Sequence, residues 1–182
     1  MFSPSVEMLL QIAYRDAVSR RHTHLTLEHL LYVLAHDLDG ERILAACGAD
    51  LSRLRRDLDV FLQQSVEVFP RGLEKEPEQT RAFRRALQTA VLHVQSAGKT
   101  EVGAGDIVAA MLQQNNSFAA QLIDGQSISR LDVLNYISHG ISKVPSAPQP
   151  ADPPPPEERR RRAGPSSGGP EPGAPKDPLA AY

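Results

Sequence analysis

Apolar residues recur at helical spacing along the first 144 positions, and polar residues fill the gaps between them. Val6, Leu9, Leu10, Ala13 and Ala17 fall at i, i+3, i+4, i+7 and i+11, which predicts one helix with a single buried stripe. Ser3 and Pro4 open it with a capping residue followed by a proline whose missing N–H costs nothing in a first turn. Thr26 caps a second helix from Leu27 to about His36. Ile43, Leu44 and Ala45 mark a short third helix that Gly48 ends, and Asp50 caps a fourth carrying Leu51, Leu54, Leu58, Phe61 and Leu62 on one face.

Residues 65–79 interrupt this pattern with Pro70, Gly72, Pro77 and a cluster of charges, so they read as a connecting loop. Helical spacing then resumes. Thr80 caps a long helix with the stripe Phe83, Leu87, Ala90, Val91 and Val94, which Gly98 stops. Gly103 or Gly105 precedes a helix around Ile107, Val108, Met111 and Leu112, and a short one surrounds Phe118–Ile123 up to Gly125. Ser129 and Asp132 form a capping box for a last helix through Leu134 and Ile137 to His139. No segment alternates as a strand would.

The two series resemble each other at an offset of 77. Leu10 meets Leu87, Ala13 meets Ala90, Leu30 meets Ile107, Leu31 meets Val108, and Leu51-Ser52-Arg53-Leu54 meets Ile128-Ser129-Arg130-Leu131. The short third and seventh helices need a one-residue slip. Isolated helices of these lengths are marginal in water and need partners to cover their stripes. The expectation is an all-α, pseudo-duplicated eight-helix globule over residues 1–144, made of two four-helix repeats at about 3–66 and 80–143.

Composition changes the picture at the other end. Twelve of the 15 prolines fall within residues 145–182. Such a segment buries too little apolar surface to offset its ordering entropy, which predicts a disordered Pro- and Arg-rich linker. Lys+Arg number 20 against 22 Asp+Glu, so no basic field for gripping a phosphate backbone exists over the whole chain. One cysteine excludes an intrachain disulfide and suits a reducing compartment. No apolar run approaches the roughly 20 residues of a membrane helix, and the N-terminal residues lack a signal peptide's basic and apolar regions. The default location is cytoplasmic.

Catalytic and metal signals fail on spacing. Gly98-Lys99-Thr100 ends like a phosphate-binding loop, but His93 occupies the place of its earlier glycine, and the triplet closes a helix rather than opening one. His22, His24, Glu28, His29 and His36 are dense, yet no Cys or second carboxylate is spaced to complete a four-ligand shell. Cys47 beside Gly48 at a helix C-terminus reads as a small core hydrophobe, because the dipole there raises a thiol's pKa. Glu74, Glu76 and Glu78 sit in the loop with nothing to hold them at working geometry. Arg159–Arg162, after Pro153–Pro156 and two glutamates, read as a solvated linker segment. No cofactor, no metal and no enzymatic activity is expected.

Thr26-Leu27-Glu28-His29-Leu30-Leu31 and the block Leu44–Leu51 resemble the amino-terminal, Clp repeat domain of the Clp family of AAA+ unfoldases. His93–Val102 and Ile128–Gly140 are similar to its ClpA branch, and the likeness covers about residues 3–143. The resemblance implies the same doubled eight-helix fold and a docking role: a tethered domain that binds a ClpS-type adaptor and protein substrates for an unfoldase feeding the ClpP peptidase. It places Glu28, Thr80 and Arg85 at the adaptor surface. The chain shows no complete phosphate-binding loop and no Walker B acid, so ATP hydrolysis belongs to the family and not to these residues. Asp177–Tyr182 resemble the start of the first ATPase module. Two other readings remain: a free-standing regulator that competes for the adaptor, and a nucleic-acid-binding helical protein using Arg159–Arg162.

Overall fold

Each predicted capping residue starts a helix in the computed structural model, which describes residues 1–73 and 75–143. In chain order these are α1 (Pro4–Ser19), β1 (His24–Leu25), α2 (Leu27–Leu34), α3 (Leu38–Ala46), α4 (Leu51–Gln64), β2 (Glu78–Gln79), α5 (Arg81–Ser96), α6 (Ala104–Leu112), α7 (Phe118–Gly125) and α8 (Arg130–His139). Eight helices, four in each half, agree with the expected fold class. The linker segment expected at 145–182 lies outside the described residues, as does Glu74. No helix among the described residues is long and apolar enough to cross a membrane.

Helices α1 and α5 differ by 77 positions at both ends. Their caps correspond too: the hydroxyls of Ser3 and Thr80 accept the N–H groups of Val6 and Phe83, each at 3.2 Å. Both helices stop in a left-handed turn, at Arg21 (φ 60°) in the first half and Gly98 (φ 74°) in the second. Gly98 is therefore a helix terminator. The stripes of α1 and α5 meet those of α2 and α6 in one core, where Ala13, Ala17, Leu31, Leu34, Ala90 and Val108 are fully buried.

The loops hold the halves together by exchange. Strands β1 and β2 pair in parallel with Leu25 opposite Gln79, and Phe2 bridges Val102 in the same sense. The Thr80 N–H donates to the Leu25 carbonyl at 3.1 Å, and the Ser3 N–H donates to the Val102 carbonyl at 3.0 Å. Adding 77 to Ser3 and Leu25 gives Thr80 and Val102, so a pseudo-twofold axis relates the two contacts. Each half's first helix is launched from the other half's loop. Strands this short leave no periodic trace in the sequence, which explains why none was expected.

One part of the internal match is corrected. Three residues separate α2 from α3, whereas five separate α6 from α7, and by the last helix of each half the structural offset is 79, with Leu51 matching Arg130. The caps Asp50 and Ser129 correspond at that offset, as do the positive-φ residues Gly48 and Ser127 and the buried Leu54 and Val133. Leu131, matched to Leu54 by sequence likeness, is 64% exposed where Leu54 is 1% exposed. The Ser-Arg-Leu block is thus out of spatial register by two residues.

At the N-terminus of the second helix of each half, a side chain reaches back to the cap. His29 Nδ1 accepts the Thr26 N–H at 3.0 Å, and Asp106 Oδ2 accepts the Gly103 N–H at 2.9 Å. A second residue, again at equivalent positions, supports each one. His22 Nδ1 lies 2.7 Å from His29 Nε2, and Lys99 Nζ lies 3.6 Å from Asp106 Oδ1. Because His29 Nδ1 accepts from a backbone donor, its proton sits on Nε2 and is donated to His22. This arrangement requires both rings neutral. Burial, with His22 beside it and the Arg20 charge nearby, pushes His29 down to about 3, and burial with Arg20 also lowers His22.

A depressed histidine pKa in the fold means that its contribution is complete above the unfolded value and is lost as pH falls below it. Urea unfolding should therefore lose stability by roughly 1 kcal/mol per pH unit from about pH 6 towards 4 at this pair. Installing the second half's pair in the first (His22→Lys with His29→Asp) should flatten that dependence. Parallel pH profiles for parent and double variant would contradict the assignment.

Candidate docking surface

The three residues that the family resemblance places at the adaptor surface occupy different environments. Glu28, in the first turn of α2, is buried at 7% exposure, and its Oε2 accepts the Ala119 N–H of α7 at 2.8 Å. Burial raises its carboxyl above the usual range, and the Ala119 N–H pulls it partly back. Glu28 therefore acts as a strut between α2 and the start of α7, not as an exposed rim charge. The equivalent position in the second half is Gly105, where a Cβ would lie 2.2 Å from Ile137 Cγ2. There α6 and α8 approach too closely for any side chain.

Thr80 is half-buried, its hydroxyl and N–H both engaged as described above. Arg85 is exposed. With Arg81, Ala82 and residues 113–117 it lines a polar depression of about 430 Å³. Ser117, the cap of α7, lies in that wall, so Glu28 holds the helix turn whose cap borders Arg85. The five-residue loop that breaks the internal offset forms one side of this depression.

Sequence reasoning missed a second surface. Two adjoining depressions of about 270 and 580 Å³ share Gln79 and Leu87; the first lies between α1 and α5, and the second continues along α5 beside Phe2. The first is lined by Leu10, Gln11, Tyr14, Arg15, Leu25 and Phe83, the second by Phe2, Arg84, Gln88, Val91 and Leu92. Leu10, Leu87 and Val91 belong to the predicted stripes yet remain only half-buried, and Leu92 is 63% exposed. Periodicity identifies an apolar face but not how far a neighbour covers it. Leu92, lying off the stripe, was the available signal.

The remaining candidates have structural roles. Cys47 is 1% exposed at the C-terminus of α3, and burial together with Asp132 pushes its thiol up, away from reactivity. His24 pairs with the Thr23 hydroxyl and His36 with the Tyr32 carbonyl. Among the described residues no group of three or more His, Cys, Asp or Glu could hold a metal ion. Desolvation, together with the Glu76 carboxylate that accepts the Tyr14 hydroxyl, raises the Tyr14 pKa. Arg159–Arg162 lie outside the described residues.

A doubled helical bundle with an apolar groove and a polar depression on its exterior defines the architecture of this chain among the described residues. Residues 1–126 match the Clp repeat (R) N-terminal domain, and the chain belongs to that family. It is 37% identical over 146 residues to a ClpA homolog protein of Fuscovulum blasticum, covering 80% of this chain but 18% of that protein. Its fold is similar to the N-domain of ClpV from Vibrio cholerae, with a TM-score of 0.63, 21% identity, and coverage of 78% of this chain and 87% of that one. It is likewise similar to a ClpV N-domain in complex with a VipB peptide, with a TM-score of 0.60, 21% identity, and coverage of 78% and 89%.

Replacing Glu28 by Ala should leave the Ala119 N–H buried without a partner and cost about 1–3 kcal/mol in urea unfolding. Glu28→Gln retains an acceptor and should cost less. Equal, negligible losses for both would show that the strut contributes nothing.

Proposed function

We propose that this chain is the non-catalytic docking domain of a ClpA-like unfoldase, receiving a ClpS-type adaptor and protein substrates on its outer face. The exposed apolar groove between α1 and α5 carries the reading. A protein in water leaves Leu87, Val91 and Leu92 together at its surface at a cost, and such a patch commonly marks a contact surface for another polypeptide. The VipB peptide held by a ClpV N-domain of the same fold supports a polypeptide ligand.

The polar depression suits a different kind of partner. Arg81 and Arg85 are exposed cations on one helix face beside amide side chains, a composition suited to an adaptor's polar rim, where charge sets register and on-rate. Glu28 supports that surface indirectly through α7, and Thr80 by starting the helix that carries both arginines. Because the chain spans 18% of the length of the ClpA homolog, the ATPase ring and any contact with ClpP belong to the remainder of such a protein. Tethering would then raise the local concentration of cargo near the ring.

Titration of the 182-residue chain with a purified ClpS-type adaptor should give weak, saturable binding that Arg85→Glu reduces by roughly threefold or more. Leu92→Glu should instead reduce binding of an unfolded model polypeptide. Circular dichroism should remain unchanged in both variants. No adaptor binding by the parent chain overturns the adaptor assignment; polypeptide binding indifferent to Leu92→Glu overturns the groove.

A further inference from the structure

The chain does not run outward after α8. Gly140 takes a left-handed conformation (φ 67°), and the N–H groups of Gly140 and Ile141 donate to the Tyr136 and Asn135 carbonyls. The next two residues then fold back. The Ser142 hydroxyl donates to the Ala46 carbonyl at 3.0 Å, and the Lys143 N–H donates to the same carbonyl at 2.8 Å. Lys143 Nζ donates to Asp132 Oδ2 at 3.0 Å and to the Ser127 carbonyl. Ala46 ends α3 in the first half, whereas Ser127 and Asp132 lie at the start of α8. Lys143, beyond the end of α8, is thus fastened near that helix's beginning.

The acceptors explain this placement. The Ala46 carbonyl belongs to the last turn of α3, where helix geometry leaves carbonyls without an intrahelical donor. An ammonium beside the start of α8 opposes the helix dipole, and Asp132 compensates it. The Ser129 N–H that the Asp132 carboxylate accepts holds its pKa below the usual range; desolvation opposes this and Lys143 adds to it. The pair is therefore ionised through the neutral range. Its side chains are 42% and 24% exposed, so water and salt screen the attraction. Ile141, the apolar side chain of the segment, is 56% exposed. Polar contacts rather than burial hold these residues, and such a segment can open while the core stays closed.

We propose that residues 140–143 are a charge-fastened strap that sets where the following chain leaves the domain. Closed, it places that point beside the C-terminus of α3. Released, the point moves to the C-terminus of α8, about 15 Å along a helix of ten residues. Screening or removing the Lys143–Asp132 pair releases the strap while the eight helices stay folded. For the tether proposed above this changes both origin and reach, but the strap does not depend on that reading.

Native-state hydrogen exchange on the isotope-labelled 182-residue chain reads the Lys143 amide directly. Asp132→Asn keeps an acceptor for the Ser129 N–H, and Lys143→Met keeps the backbone bond to Ala46, while each removes one charge. Either replacement, or salt at about 1 M with the parent chain, should lower the protection of the Lys143 amide about two- to fivefold. The core amides of α1 and α5 should be unchanged, and the double variant should lose no more than either single one. A parent amide that exchanges unprotected, or protection indifferent to charge and salt, overturns the strap. Equal losses at the core amides also overturn it, because the pair would then support the whole fold. A nitroxide placed by Ser146→Cys, with Cys47→Ala, should broaden the amides of Ala46 and Ser127 more than those of Ile137 and His139. Equal or reversed broadening overturns the exit point.

Discussion

Two backbone hydrogen bonds, Ser3 N–H to the Val102 carbonyl and Thr80 N–H to the Leu25 carbonyl, tie the start of each half's first helix to the loop of the other. Neither bond can form within a single half. Each contributes about 1 kcal/mol net, but their position matters more than their size. Each fixes a capping residue, and so fixes where a 16-residue helix begins and which face it turns to the core. The stripes of α1 and α5 pack on α2 and α6 of their own halves, and the halves meet where α2, α3 and α4 pack against α6, α7 and α8.

The same exchange shapes the groove proposed as a docking surface. Phe2 and Gln79 are the pseudo-equivalent residues just before the two caps, and they lie in the groove because the loops that hold them cross between α1 and α5. Duplication supplies the geometry, and the halves have since diverged. Among the matched positions that now differ are Tyr14 and Val91, Arg15 and Leu92, His22 and Lys99, and His29 and Asp106. The first two pairs make the groove's ends unlike. The last two replace a neutral imidazole pair with a charged one at the same helix start, so one half is sensitive to acid where the other uses a carboxylate and an ammonium.

Most helix starts were legible in the sequence because capping is local: a hydroxyl or carboxylate three residues before the N–H it accepts needs no tertiary information, although Asp37 and Ser117, the caps of the short helices α3 and α7, went unread. The first long helix of each half was legible for the same reason, and the family resemblance rested on those blocks. Interactions set by distance along the chain were not. Glu28 reads as a favourable first-turn acid, and nothing near it in sequence indicates that Ala119 will come within 2.8 Å. The offset of 77 fails after α6 because two extra loop residues are easily hidden by a chance match of Ser-Arg-Leu. The groove escaped notice because half-buried Leu87 and fully buried Ala90 look alike in a hydrophobic pattern.

The dependence of the whole domain on exchanged helix starts is tested most directly by native-state hydrogen exchange at the amides of Ser3 and Thr80. Both amides should exchange only through global unfolding, with the same opening free energy as the buried core amides of α1 and α5 and the same denaturant dependence. Exchange at Ser3 and Thr80 through low-energy local opening, while the core of both helices stays protected, would show that each half sets its own first helix and would contradict the account.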